Sequence, residues 1–157
     1  MTYEDLERLS AKAASVLVEL GVEKGDRVGL VIPNVPAFVV WYYAILRLGA
    51  IAVSVSTRLT GEEVTFILSD CDARIVIGTA QSVESGQLTV SLGGHTPDCI
   101  DQIVTVSDDA MTVGDQTLEK CESIGAGHFV DMEPDEPATI LYTSGTTGFP
   151  KGATLSH

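Results

Sequence analysis

Three short apolar runs, at residues 28–32, 51–55 and 74–77, are separated by segments of helical period, and this alternation limits the fold more than any other feature of the 157-residue chain. The first run, Val28 to Ile32, is apolar without alternation, as suits a strand covered on both faces. Neighbouring parallel strands need a crossover, nearly always right-handed and usually helical. Strands that begin near residues 28, 51 and 75 with helices between them are therefore successive βαβ units. The expected class is α/β with a mainly parallel sheet.

The helices carry their own start signals. Thr2 with Asp5 forms a capping box, and Leu6, Leu9, Ala13, Val16, Leu17 and Leu20 recur at helical spacing until Gly21. Asn34 and Pro36 open a second helix, apolar almost all round through Phe38, Val39, Trp41, Tyr42, Ile45 and Leu46, which should be deeply packed. Thr60 with Glu63 caps a third, with Val64, Ile67, Leu68 and Cys71 on one face. The stretch AFVVWYYAILRLGAIAVSV is long enough to span a bilayer as one helix, but Arg47 in its middle costs ~3 kcal/mol there and Gly49 offers a stop. A buried helix followed by a buried strand is the expectation, with no transmembrane segment.

Beyond the third unit, residues 81–97 are rich in Ser, Gly and Thr and read as loop and edge structure. A fourth strand is expected over 102–106, a short helix over 117–124, an acidic connector over 133–137 and a last strand over 138–142. Residues 153–156 alternate like a strand.

The hydrophobic content of 45% and charged content of 20% describe an ordered chain with one real core. A net charge of −13 repels polyanions, so nucleic acid is not an expected partner. Cys71, Cys99 and Cys121 are odd in number, far apart, and preceded by no basic and apolar leader, which fits a reducing cytoplasm. His95, Cys99, Cys121 and His128 could in principle supply four zinc ligands, but no C-x-x-C pair supports that reading. Asp70 and Asp72 flank Cys71 and make it a poor nucleophile.

The chain closes with LYTSGTTGFPKGATLSH. Small and hydroxylated residues from Thr143 to Gly148 let backbone N–H groups and hydroxyls approach a phosphate closely, and Lys151 adds a positive charge. The order is not that of a P-loop: Pro150 stands where a second glycine is required, and Gly152 follows the lysine in place of Ser or Thr. No helix follows at once, so a phosphate would sit on a strand–loop–strand hairpin. By composition alone, an unliganded Gly/Thr/Ser turn fits as well.

Residues 142–152, YTSGTTGFPKG, resemble the AMP-binding signature of the adenylate-forming acyl-CoA synthetase superfamily. Upstream, TYEDLERLSAKAASVLVELGVEKGDRVGLVIPN, AILRLGAIAV and RLTGEEVTFILSDCDARIVI are similar in order and spacing to earlier blocks of that family. The resemblance implies a two-step reaction in which a carboxylic acid, a fatty acid foremost, is activated by Mg-ATP and transferred to coenzyme A. It implies that Thr143, Ser144, Gly145, Thr146, Thr147, Gly148, Lys151 and Gly152 bind the β- and γ-phosphates, that His157 is structural, and that no catalytic residue lies in this chain. Residues 1–157 would be the first part of the large N-terminal domain, inactive alone, with the small C-terminal domain and its lysine downstream. Membrane contact would be peripheral and tied to a long-chain acid.

Ser54 to Leu59 departs from the Asn-Pro before Arg-Leu of many fatty-acyl and aryl enzymes. Gly49 to Ser54 also departs from the Gly-Gly-Ala-Tyr-Val-Pro of amino-acid-activating domains, so the CoA-ligase branch fits better. A noncatalytic nucleotide-binding or interaction module of the same fold, or an amino-acid-adenylating domain, stays open as the alternative.

Overall fold

The computed structural model describes residues 1–80, 82, 99–121, 123, 125, 129–143 and 150–157. Three helices, α1 (Tyr3–Glu19), α2 (Pro36–Arg47) and α3 (Gly61–Asp70), accompany eight strands: β1 (Arg27–Val31), β2 (Ile51–Ser54), β3 (Ile75–Thr79), β4 (Gln102–Val106), β5 (Thr112–Val113), β6 (Gln116–Thr117), β7 (Pro137–Thr143) and β8 (Lys151–Ser156). They form one sheet in the order β6-β5-β4-β3-β1-β2-β7-β8. The inner five strands, β4 through β7, run parallel, as the alternation requires. Antiparallel partners close both edges.

The topology explains the two-sided core. The crossover through α2 moves from β1 to β2, whereas the crossover through α3 returns past β1 to β3. Two crossovers of one hand in opposite directions place their helices on opposite faces. Along β1, Val28 and Leu30 accordingly join the core under α1 and α2, while Val31 joins the core under α3. Gly29 points to the α3 face, where a Cβ would stand 2.6 Å from Leu68 Cδ2. The helix can pack this close only because residue 29 has no side chain.

Both capping boxes form, at Thr2/Asp5 and at Thr60/Glu63. The second helix starts at Pro36 as expected, but Asn34 does not cap it; the N-cap is Val35, without a side-chain bond. Gly49 ends the helical segment with a φ of +65°. No helix among the described residues is long and apolar enough to cross a membrane. Arg47 is 1% exposed. It donates to Ser10 Oγ at 3.0 Å, pairs with Glu7 and lies 4.3 Å over the Phe129 ring, so α1 and the chain before β7 supply the partners its burial demands.

The short helix expected over 117–124 is a correction. Residues 116–117 belong to the β5–β6 hairpin, and among the described residues of that span Leu118–Lys120 make a single 3₁₀ turn. Leu118 is fully buried and its N–H donates to Met111 O, so one side chain anchors the turn where a helix would need a face. Most of the loop expected over 81–97 lies outside the described residues. The acidic connector forms a turn before β7, held by Lys24, which bonds Glu136 Oε2 at 2.9 Å and Asp131 O at 3.0 Å.

Candidate functional site

The closing motif is carried by the last two strands. β7 is anchored inside the sheet: it pairs with β2, and buried Thr139 donates its hydroxyl to Ala52 O at 2.7 Å. β8 returns antiparallel along its other side. The carboxyl end of β7 therefore lies at the same sheet margin as the carboxyl ends of β1 to β4, the margin where open α/β sheets take up ligands. The register sets Thr143 opposite Lys151 and Tyr142 opposite Gly152. Lys151 thus opens an antiparallel strand, whereas the lysine of a P-loop opens a helix.

Of the expected phosphate-binding residues, Thr143, Lys151 and Gly152 are placed, with Thr143 and Lys151 exposed at the two ends of the hairpin connection. Ser144, Gly145, Thr146, Thr147 and Gly148 lie outside the described residues. The electrostatics are local: residues 138–156 contain no Asp or Glu and one basic residue, Lys151, in a chain of net charge −13. The segment itself thus adds no negative charge, and the carboxylate that touches it, Asp70, is hydrogen-bonded to Tyr142. The cleft of about 470 Å³ at the ends of β3 and β4 is lined instead by Ala80, Val106, Ser107, Asp108 and Asp109, and its two carboxylates disfavour a polyphosphate.

Two residues beside the motif form a contact that no sequence signal marks. Tyr142 Oη donates to Asp70 Oδ2 at 2.6 Å, joining β7 to the end of α3. Burial, followed by the bond to the Asp70 carboxylate, pushes the phenol well above its ordinary range, so it remains a donor. His157, expected to be structural, donates its backbone N–H to Glu136 O at 3.3 Å.

Cys71 is a poor nucleophile, but for a different leading reason than its acidic neighbours. Burial is the largest cause pushing its thiol up to about 11, and Arg27 works against the shift. The zinc set that the sequence does not favour falls partly on His95 and His128, outside the described residues; among the described residues no group of three or more His, Cys, Asp or Glu is placed to hold a metal.

The sequence profile of the family described as "AMP-binding enzyme" matches residues 1–157. Long-chain-fatty-acid–CoA ligase FadD13 of Mycobacterium tuberculosis is 37% identical over 163 residues, an alignment that covers 100% of this chain and 30% of that protein. The inhibitor-bound N-terminal domain of FACL13 from Mycobacterium tuberculosis superposes with a TM-score of 0.80 at 34% identity, covering 100% of this chain and 37% of that one. The anthranilate CoA ligase AuaEII in complex with anthranoyl-AMP superposes with a TM-score of 0.81 at 26% identity, covering 99% and 28%. The chain spans about 30% of the length of the curated relatives it matches. With the signature on the β7–β8 hairpin and the profile matched from end to end, the chain belongs to the AMP-binding enzyme family.

Proposed function

We propose that the protein containing this chain is an AMP-forming acid–thiol ligase, and that residues 1–157 are the part of its N-terminal domain that grips the polyphosphate of ATP. A carboxylate oxygen of the acid attacks the α-phosphorus, the bond from that phosphorus to the bridging oxygen breaks, and pyrophosphate leaves. The sulfur of coenzyme A then attacks the acyl carbonyl of the adenylate, and AMP departs with the oxygen that had joined it to the acyl group. Relatives named as CoA ligases and the anthranoyl-AMP bound to one of them support this order of events.

The observation that carries the reading is the cross-strand pairing of Thr143 with Lys151 at the carboxyl margin of the sheet, inside a segment free of acidic residues. Thr143, Ser144, Thr146 and Thr147 are the hydroxyl donors, Gly145, Gly148 and Gly152 admit close backbone approach, and Lys151 neutralises charge as pyrophosphate separates. Among the described residues, no group of three or more His, Cys, Asp or Glu is placed to hold a metal, and the one carboxylate bonded to the hairpin, Asp70, accepts from Tyr142. On this reading magnesium enters on the phosphate oxygens, as part of the Mg-ATP substrate.

A fatty acid is the proposed acid, after the relative that acts on long-chain fatty acids. The small C-terminal domain, with the catalytic lysine, is assigned to sequence outside these 157 residues. Three cysteines, odd in number and far apart in the chain, suit a reducing cytoplasm. Exchange of labelled pyrophosphate into ATP, driven by a panel of fatty, aromatic and amino acids and catalysed by the full-length gene product, tests the assignment. Exchange with at least one fatty acid is expected; silence across the panel refutes the ligase reading, and exchange confined to amino acids moves the protein to the amino-acid-activating branch.

A further inference from the structure

We propose that Tyr142, anchored on Asp70 and seated over Gly152, is a positioning residue that fixes where Thr143 and Lys151 stand and so governs the grip on the nucleotide's terminal phosphates. The proposal rests on the phosphate-binding reading of the hairpin given above.

Asp70 is an unfavourable choice at its position. It is the last residue of α3, where the helix dipole disfavours an anion, and no basic residue occupies that last turn. The Tyr142 hydroxyl gives this carboxylate a charge-assisted donor at 2.6 Å across 72 residues of sequence. The ring then meets a second restraint. Tyr142 faces Gly152 in the β7–β8 register, and a Cβ at residue 152 would stand 3.0 Å from Tyr142 Cζ and 3.0 Å from Ile140 Cγ2. Glycine thus clears the space the ring fills. Ile140 and Tyr142 pack on the α3 core from alternate positions of β7, which turns the ring toward the helix that holds Asp70.

The consequence falls on the flanking residues. Thr143 follows Tyr142 and Lys151 precedes Gly152, so a clamp on the Tyr142/Gly152 pair sets the origin of both side chains at the hairpin's open end. β8 is exposed along its whole length, Lys151 to Ser156, and owes its placement to β7. Freeing the ring lets the strand pair shift relative to α3.

The test uses the full-length protein with Tyr142→Phe, Asp70→Ala, Asp70→Asn and the Tyr142→Phe/Asp70→Ala double variant. Tyr142→Phe and Asp70→Ala are each expected to raise KM for Mg-ATP by about 3- to 10-fold, the worth of one such bond, with KM for the acid and for coenzyme A unchanged. Asp70→Asn keeps an acceptor and should recover most of the loss. The double variant should be no worse than the poorer single variant. Unchanged KM for Mg-ATP in both single variants, or effects that multiply in the double, overturns the proposal.

A second readout needs no ligase activity. Trypsin cleavage after Lys151, followed by mass spectrometry on the protein without nucleotide, should quicken about threefold or more in Tyr142→Phe at an unchanged melting temperature, since local opening sets such rates. A wild-type protein that exchanges no pyrophosphate refutes the ligase reading alone; an unchanged cleavage rate refutes the clamp.

Discussion

Thr143 on β7 and Lys151 on β8 stand directly opposite each other, the last register pair before the hairpin connection. An antiparallel pair brings opposed Cα atoms to roughly 4.5–5.5 Å, close enough for a hydroxyl and an ammonium to reach neighbouring oxygens of one phosphate chain, as the proposed function requires. The acidic protein has put its one basic residue between positions 138 and 156 at this point.

Gly29 and Leu68 govern the stability of the scaffold that holds the hairpin. Gly29→Ala places a methyl group 2.6 Å from Leu68 Cδ2 in a fully packed core. Overpacking of this kind should destabilise the protein by ~1–3 kcal/mol. Urea denaturation of the full-length protein checks the value. Adding Leu68→Val should restore part of it, since the two residues share one contact; strictly additive losses would mean that they do not touch.

Cys71 should be chemically quiet in the folded protein. With its thiol pushed up to about 11 by burial, little thiolate is present at pH 8. Alkylation by iodoacetamide, mapped by mass spectrometry, should be at least about tenfold slower at Cys71 in the native protein than after unfolding in urea. Equal rates in the two states would contradict its burial.

Acid should weaken the folded state through its capping carboxylates. The Thr60 backbone N–H, then the Thr60 hydroxyl, holds Glu63 below its ordinary 4.5. A depressed carboxyl stabilises the fold above its unfolded pKa and loses that contribution as pH falls through the folded value. Glu63→Gln keeps the cap without the titration. The variant, lacking the charge, should melt below wild type at pH 7, and the gap should close as pH falls below 4.5; profiles that superimpose at every pH would deny the linkage.

Elements with local signals were legible in the sequence, and those fixed by distant partners were not. The capping boxes at Thr2/Asp5 and Thr60/Glu63 mark two helix starts because both members lie within one turn. The parallel strands are legible because burial on both faces removes alternation. Strand order is not, since it depends on which way each crossover runs. The β5–β6 hairpin has strands of two residues, too short for any period, so the sequence reads as a short helix over 117–124 where one buried leucine anchors a turn. Arg47 reads in sequence as an obstacle to membrane insertion; its partners Ser10 and Glu7 lie 37 and 40 residues away. In the site, composition marks Thr143 and Lys151, but Asp70 gives no sign of its bond to Tyr142, 72 residues on.

The most direct measurement is the rate of pyrophosphate–ATP exchange in the full-length protein carrying Lys151→Ala or Thr147→Ala, with the best acid at saturation. Loss of a charge-assisted contact of ~1.5–3 kcal/mol corresponds to a fall of about 10- to 150-fold in kcat/KM for Mg-ATP, expected to be greater for Lys151→Ala. Exchange at the wild-type rate in both variants would contradict the assignment of the β7–β8 hairpin as the polyphosphate grip.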